Sequence, residues 1–325
     1  MKLNIDPDWL LQMAEKEDNR IVSVGGLVTR VETNMGVEIQ PDMRLSEWSQ
    51  VFPLKAMRKL HFSLPEGTSN IEVLLKFFGV QSPDAWQTRW SNYAVAFRQT
   101  KKFDFRSEEL VVAAWVREAE IIADQIPLAE FDEAKLWASL NVLRRLTRED
   151  IDTALDQAQE ICSRCGVALV VVPELPGTQI SGCARWLTDS HAMVGLALRY
   201  KVGEQLWFTF FHELGHILLH RHQRLFVVDN AADEMGDDVV DPVMVKYEKE
   251  ADRFAADTLI PPTELAKLPL HKPDELTNEL IQDFAKSIGI HPGIVIGRLQ
   301  HDKVLEHWQG NTLKQKLEWG FVPEE

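Results

Sequence analysis

The sequence lacks any apolar stretch long enough for a transmembrane helix, and it lacks a leader in which a charged segment precedes an apolar one. Its first residues, Met1–Pro7, lead directly into polar sequence. Cysteine is also scarce, because three in 325 residues cannot form a disulfide framework, and this agrees with a reducing compartment. We therefore expect a cytoplasmic protein that does not associate with a membrane.

Two of the cysteines, Cys162 and Cys165, have the spacing of a metal-binding knuckle. Only Cys183 remains, so no second pair exists to complete a four-ligand site. We predict that Cys162 and Cys165 are partly buried thiols at the end of a helix.

Positive charge is in deficit, with 35 Lys and Arg against 50 Asp and Glu and a net charge of −15 at pH 7. Nucleic-acid affinity comes largely from clustered Lys and Arg, so we expect no direct binding of nucleic acid. Six acidic residues and no basic one stand in Asp229–Asp241. This segment is either a solvated loop or a mobile lid that attracts basic substrate segments, and the sequence leaves both open.

The length exceeds the usual size of one domain and the hydrophobic content of 45% is ample for a packed core, so two domains are expected. Residues 1–145 are predicted to form a helical accessory or docking domain. Apolar residues recur there at three- and four-residue steps in Ile71–Gly79, Ala85–Phe97 and Glu108–Gln125. At this helical spacing the aromatic residues are predicted to be core rather than a peptide groove, namely Trp86, Trp90, Phe97 and Trp115.

Residues 146–325 are predicted to form the second domain. A helix after Asp150 ends at Gly166, and three short strands are then expected at Val167–Pro173, Gln179–Leu187 and Ala192–Leu198. The fold class is therefore α+β and mainly helical, with a small three-stranded sheet packed on a helical core. Near the C-terminus, Ile281–Leu299 has the outline of a helix-turn-helix, but it offers few base-reading side chains and is predicted to be a packing hairpin.

The motif His212-Glu213-Leu214-Gly215-His216 carries the strongest chemical signal. Two histidines four apart lie on one face of a helix, so both imidazoles can reach one ion while Glu213 points at what that ion holds. The predicted helix, about 205–220, is apolar on nearly every side and must be buried. Burying these three side chains without partners is costly, and a shared cation removes that cost. The pattern predicts a zinc peptidase with one Zn²⁺ per chain.

Catalytic zinc needs a third protein ligand and an open position. His222 would suit an extended histidine motif, but that motif needs a glycine where this chain has Leu219. Glu248 and Glu250 both lie on a predicted helix over 244–259. At about 100° per residue, Glu248 lies on the apolar side, whereas Glu250 falls about 200° away on the polar face, where a salt-bridging role suits it. We therefore predict Glu248 as the ligand.

The same helix gives Asp252 a role, because it lies about 40° from Glu248. A carboxylate in that position can accept the free N–H of a metal-bound histidine and fix its orientation. Glu213 is the predicted general base, which takes a proton from water and passes it to the leaving amine while the metal polarises the scissile carbonyl. The donor for the tetrahedral oxyanion stays open among Tyr200, His191, Arg185 and Tyr247.

Four segments resemble the ImmA/IrrE family of metallopeptidases, and these are RWL at 185–187, LRY at 198–200, WFTFFHELGH at 207–216 and EKEADRFAADTLIPP at 248–262. The resemblance is specific over roughly 146–300 and is best to larger bacterial regulators in which this domain follows a helix-turn-helix. It implies a gluzincin-like zinc domain with His212, His216 and Glu248 as ligands and Glu213 as base. This chain departs in one respect, since its first 45 residues show no convincing DNA-binding helix pair.

The resemblance implies a protein substrate, typically a helix-turn-helix repressor or an antitoxin that is cut in response to stress or to mobile-element and defence signals. The expected function is thus a site-specific zinc endopeptidase acting on a regulator encoded nearby. The alternative is a regulatory binding protein of the toxin–antitoxin type, which sequesters a partner such as a toxin through the same fold without proteolysis. The two hypotheses differ in whether replacing Glu213 changes regulation.

Overall fold

A computed structural model describes residues 45–86, 108–178, 180–197, 202–221, 227–230 and 242–317. The α-helices are α1 Leu45–Val51, α2 Leu54–Lys59, α3 Asn70–Phe78, α4 Glu108–Ala123, α5 Glu133–Arg145, α6 Ile151–Ser163, α7 Gly203–Leu219, α8 Pro242–Leu259, α9 Pro262–Leu265, α10 Asn278–Ile288 and α11 Pro292–His301. The strands are β1 Val167–Val172, β2 Ile180–Trp186, β3 Ala192–Ala197 and β4 Val227–Asn230. The predicted class, mainly helical with a small sheet, is confirmed.

Helix α3 begins at a serine cap and ends at a glycine. Ser69 caps α3, since its hydroxyl accepts a hydrogen bond from the backbone N–H of Glu72 at 3.2 Å. Gly79 ends α3 in the left-handed conformation at φ +64°, which favours glycine.

Trp86 and Trp115 are core residues as predicted, with exposures of 5% and 0%. Trp90, Phe97 and most of the predicted helix Ala85–Phe97 lie outside the described residues.

The four strands form one mixed sheet in the order β1-β3-β2-β4. β1 pairs with β3 in parallel, and β2 pairs with β3 and β4 in antiparallel fashion. The three predicted strands are confirmed within one or two residues at each end. β4 was not predicted, and it pairs Val228 with Cys183 on the outer side of β2.

Both faces of the sheet are covered, which explains why its strands are apolar without alternation. Leu169 and Val194 belong to the hydrophobic core that includes α6 and α7. Val170 and Met193 belong to a second core that includes α4. On that second face the indole N–H of Trp115 donates to the carbonyl oxygen of Val172 at 3.3 Å. The predicted domain boundary near residue 145 stays a prediction, but α4 packs directly on the sheet.

The C-terminal helices pack on the site-bearing part of the molecule. Gly289 turns the chain between α10 and α11 at φ +74°, and Val295 and Leu299 of α11 are fully buried in the same core as α7. This is the packing hairpin that the sequence predicts. Arg144 at the end of α5 ties the region together, because its guanidinium donates to the carbonyl oxygens of Leu259 and Ile288 at 2.8 Å each.

Cys162, Cys165 and Cys183 are free thiols, and all three are fully buried. Burial raises the pKa of Cys162 and of Cys183, which keeps both protonated and chemically quiet. Cys162 and Cys165 lie at the end of α6, as predicted, but they are fully rather than partly buried. Across the described ranges, none of the helices combines the length and the apolar character that crossing a membrane requires.

Candidate metal centre

Helix α7 places the motif in the interior of the molecule. It spans Gly203–Leu219, close to the predicted helix, and His212, Glu213 and His216 are 2%, 0% and 4% exposed. Gly215 allows α8 to pack closely on it, since a Cβ atom there would come 3.0 Å from Cδ1 of Phe254. The apolar residues of α7 pack into the core, and the motif residues are buried because they lie on the same helix.

Helix α8 presents Glu248 to α7. Its buried residues Ala251, Ala255 and Leu259 face the core, and Glu248 lies on the same side, as the helical spacing predicts. The side chains of Glu250 and Arg253 are more exposed than that of Glu248, at 43% and 83%. The apolar stripe of α8 therefore sets which of the two glutamates meets the histidines.

The three predicted ligands converge. Nε2 of His212 and Nε2 of His216 are 3.0 Å apart. The Glu248 carboxylate lies 3.3 Å from Nε2 of His212 and 3.6 Å from Nε2 of His216. The three ligand atoms fall within 4.8 Å of one another, and they form the one cluster of this kind found among the described residues. Two imidazole nitrogens and one carboxylate oxygen are a donor set that catalytic zinc sites use.

The electrostatics of the cluster favour an ionised carboxylate beside neutral imidazoles. Burial alone would raise the pKa of Glu248, but its contacts with the imidazoles of His212 and His216 outweigh it and lower this pKa to about 2. Burial lowers the pKa of His216, and the neighbouring Glu248 offsets this only in part. A neutral imidazole with an ionised carboxylate is the protonation state that a metal ligand needs.

The side chain of Glu213 extends from α7 toward the sheet. Its side chain is fully buried, and it faces Gly182 of β2 and Thr209 one turn earlier on α7. Because glycine has no side chain, the backbone of β2 approaches the carboxylate directly. The Glu213 carboxylate is therefore enclosed between α7 and β2.

Asp252 contacts His212 from the outside of the cluster. Its Oδ1 lies 2.9 Å from Nδ1 of His212, and its own side chain is 56% exposed. When Nδ1–H donates to Asp252, the lone pair of His212 lies on Nε2, the atom that faces Glu248. This is the contact that was predicted from the spacing of Glu248 and Asp252.

His220 was missed in the sequence. It lies one turn after His216, is 4% exposed, and its Nδ1 is 3.1 Å from Nδ1 of His216. Its Nε2 lies 3.1 Å from Oε2 of Glu250, and the ring of Tyr247 packs against it with centroids 4.4 Å apart. The spacing of four residues from His216 could have indicated this contact, because it places both rings on one face of the helix.

The other candidates have contacts with residues other than the three ligands or lie outside the described residues. Tyr247 packs on His220, and Arg185 forms an ion pair with Glu120 of α4. The backbone carbonyl of His191 accepts hydrogen bonds within the turn between β2 and β3. Tyr200 and His222 lie outside the described residues, as do residues 231–241 of the acidic segment.

The fold and the cluster define the class of a metallopeptidase with an HExxH helix. Residues 189–291 match the sequence model of the family described as Peptidase_M78, IrrE N-terminal-like domain. The chain therefore contains an IrrE N-terminal-like domain, which runs from just before β3 to the start of α11 and includes both α7 and α8. The predicted resemblance is confirmed, and the family implies a metallopeptidase. A search of curated proteins found no match.

Proposed function

We propose that this protein is a zinc-dependent, site-specific endopeptidase that cuts a regulatory protein in the cytoplasm. The observation that carries the proposal is the convergence of His212, His216 and Glu248 within a domain of a metallopeptidase family. The three buried free thiols suit a reducing compartment.

The residues present fit a zinc ion. Two nitrogen donors and one carboxylate donor satisfy the three protein positions of a catalytic zinc site. His212 and His216 are almost wholly buried, so their ring nitrogens lose contact with water. A bound cation compensates for that loss. When bound, zinc supplies Lewis acidity, which polarises a carbonyl oxygen and acidifies water.

The chain's own residues supply the remaining functions. Glu213 is held against β2 next to the two histidines, where it acts as the general base that removes a proton from water and delivers it to the leaving amine. Asp252 accepts the Nδ1–H of His212 and thereby holds that ring with Nε2 toward Glu248.

The substrate that we propose is a helix-turn-helix repressor or an antitoxin encoded beside this gene. The proposal rests on the resemblance of the domain to ImmA/IrrE regulators, and proteolysis would relieve repression in a stress or defence response. A protein substrate follows from the peptidase class itself.

The test is incubation of the zinc-loaded protein with the product of the adjacent gene, followed by mass spectrometry. Wild type should release one discrete pair of fragments, whereas Glu213→Gln should retain zinc and release none. Arg253→Ala is a matched control, because this exposed residue of α8 forms an ion pair with Asp257 and contributes no ligand.

Equal processing by wild type and Glu213→Gln would refute the proposal. If the variant binds the partner and regulates it in cells as the wild type does, sequestration without proteolysis is the function instead.

A further inference from the structure

A chain of hydrogen bonds leads away from the candidate metal centre on the side of His216. Nδ1 of His216 contacts Nδ1 of His220 at 3.1 Å, and Nε2 of His220 contacts Oε2 of Glu250 at 3.1 Å. The two rings are 4% exposed, whereas the Glu250 side chain is 43% exposed. The chain therefore runs from the buried cluster to the surface of α8.

The geometry allows a single arrangement of protons along this chain once Nε2 of His216 presents its lone pair to a metal. Nδ1 of His216 then carries the proton and donates it to Nδ1 of His220. His220 must carry its own proton on Nε2, which donates to the Glu250 carboxylate. Both rings are neutral, and each has one defined tautomer.

We propose that His220 and Glu250 are positioning residues for His216. They perform through a two-member relay what Asp252 performs for His212 through one direct hydrogen bond. The inference rests on the proposed zinc site. It assigns a role to Glu250, whose helical position predicted only a salt-bridging one.

The neighbours of the relay hold it in place. The ring of Tyr247 packs against His220 with centroids 4.4 Å apart. Tyr247 and Glu250 are three residues apart, so they share the flank of α8 that lies beside the end of α7. Lys246 lies 3.7 Å from the other oxygen of Glu250 and restrains the carboxylate from the solvent side. His220 thus has a contact on its face and a partner at each nitrogen.

Groups that orient a metal-bound histidine commonly change metal affinity or activity by about 10–100-fold when they are removed. Because the Glu250 side chain is 43% exposed, its replacement should leave the fold intact and remove the outer hydrogen bond of the relay. His220→Ala removes both hydrogen bonds, and Glu250→Ala removes the outer one.

The test measures the zinc dissociation constant of the full chain by chelator competition, with unfolding of the metal-free proteins as a check on folding. We expect His220→Ala to weaken zinc binding about 10–100-fold and Glu250→Ala to weaken it by a smaller factor. Glu250→Gln should restore most of the affinity, because its carbonyl oxygen still accepts from Nε2–H of His220. Arg253→Ala is the matched control, since it removes an exposed ion pair of α8 with Asp257 and leaves the relay.

A second readout is the nitrogen NMR spectrum of the zinc-loaded protein. It should show His216 protonated on Nδ1 and His220 protonated on Nε2, and Glu250→Ala should alter the His220 signal. A structural role of His220 in packing alone would not define this tautomer.

Two results would overturn the inference. If the wild type binds zinc and both Glu250→Ala and His220→Ala bind it equally well, the relay has no role while the zinc site stands. If the wild type binds no zinc, the proposed function and the relay fail together.

Discussion

Gly182 of β2 lies so close to Glu213 of α7 that a Cβ atom at Gly182 would come 2.7 Å from Oε1 of the carboxylate. The same atom would come 2.6 Å from Cγ2 of Thr209, so it has no free direction. One hydrogen atom at this position separates the strand from the proposed general base. The sheet therefore sets the position of Glu213 as strictly as α7 does.

We expect Gly182→Ala to reduce peptide cleavage by about 100-fold, because a shift of roughly 1 Å at a catalytic group can cost that much. Zinc affinity should change little, since none of the three predicted ligands is among the atoms nearest to a Cβ atom at Gly182. The measurement is kcat/KM on the identified substrate, together with the zinc content. Ser181→Ala is the control on the same strand, and equal loss in both variants would argue against a specific effect.

Asp252→Ala should weaken zinc binding about 10–100-fold, because Nδ1 of His212 loses its carboxylate partner. Asp252→Asn should have a smaller effect, since the amide oxygen can still accept the hydrogen bond. Chelator competition measures both variants. Asp257→Ala, which removes the partner of the exposed Arg253 on the same helix, should bind zinc as the wild type does.

Arg144→Ala should lower the free energy of unfolding by about 3 kcal/mol, because two charge-assisted hydrogen bonds to the ends of α8 and α10 are lost. Chemical denaturation of the metal-free protein checks this value. Arg145→Ala removes the adjacent exposed arginine and should change the stability by less than about 0.5 kcal/mol. A comparable loss in both variants would contradict the assigned role of Arg144.

Glu118 should make stability depend on pH. Burial raises the pKa of Glu118 above 4.5, although hydrogen bonds from Ser63 partly oppose this. A raised folded-state pKa favours the protonated form, so this contribution to stability is complete below pH 4.5 and is lost as pH rises through the raised value.

Glu118→Gln removes that titration and can still hydrogen bond to Ser63. Melting temperatures measured from pH 4 to pH 7 should therefore fall less steeply in Glu118→Gln than in the wild type. The exposed Glu149 provides the control substitution Glu149→Gln. An unchanged pH profile in Glu118→Gln would show that Glu118 ionises in the fold at no cost.

The helices and strands that position the site could be predicted because their signals are local. The apolar stripe of α8 placed Glu248 on the core-facing side with Asp252 one turn beyond it, and Gly289 marked the turn between α10 and α11. β4 gave no such signal, because its four residues are two valines followed by Asp229 and Asn230 at the start of the acidic segment, and they form a strand only through pairing with β2. The sheet order also depends on pairing between distant segments.

The candidate centre was predictable where one helix determines the geometry and not where two helices meet. The spacing of His212 and His216 needs only α7, whereas the contact of His220 with Glu250 depends on how α8 lies beside the end of α7. Angles around the axis of α8 placed Glu250 opposite Glu248, which is correct for the helix. These angles did not predict that His220, at the end of α7, would contact Glu250 on the flank of α8.

The sheet between the two hydrophobic cores has a consequence for how the chain folds. Residues 189–291, which match the family model, include neither β1 nor α4, yet Val170 and Met193 lie in the core that α4 helps to form. Removing α4 would turn this side of the sheet into an exposed apolar surface, which favours aggregation. The smallest part of the chain that folds on its own should therefore be considerably larger than the family match, and a fragment that begins at residue 146 should be insoluble.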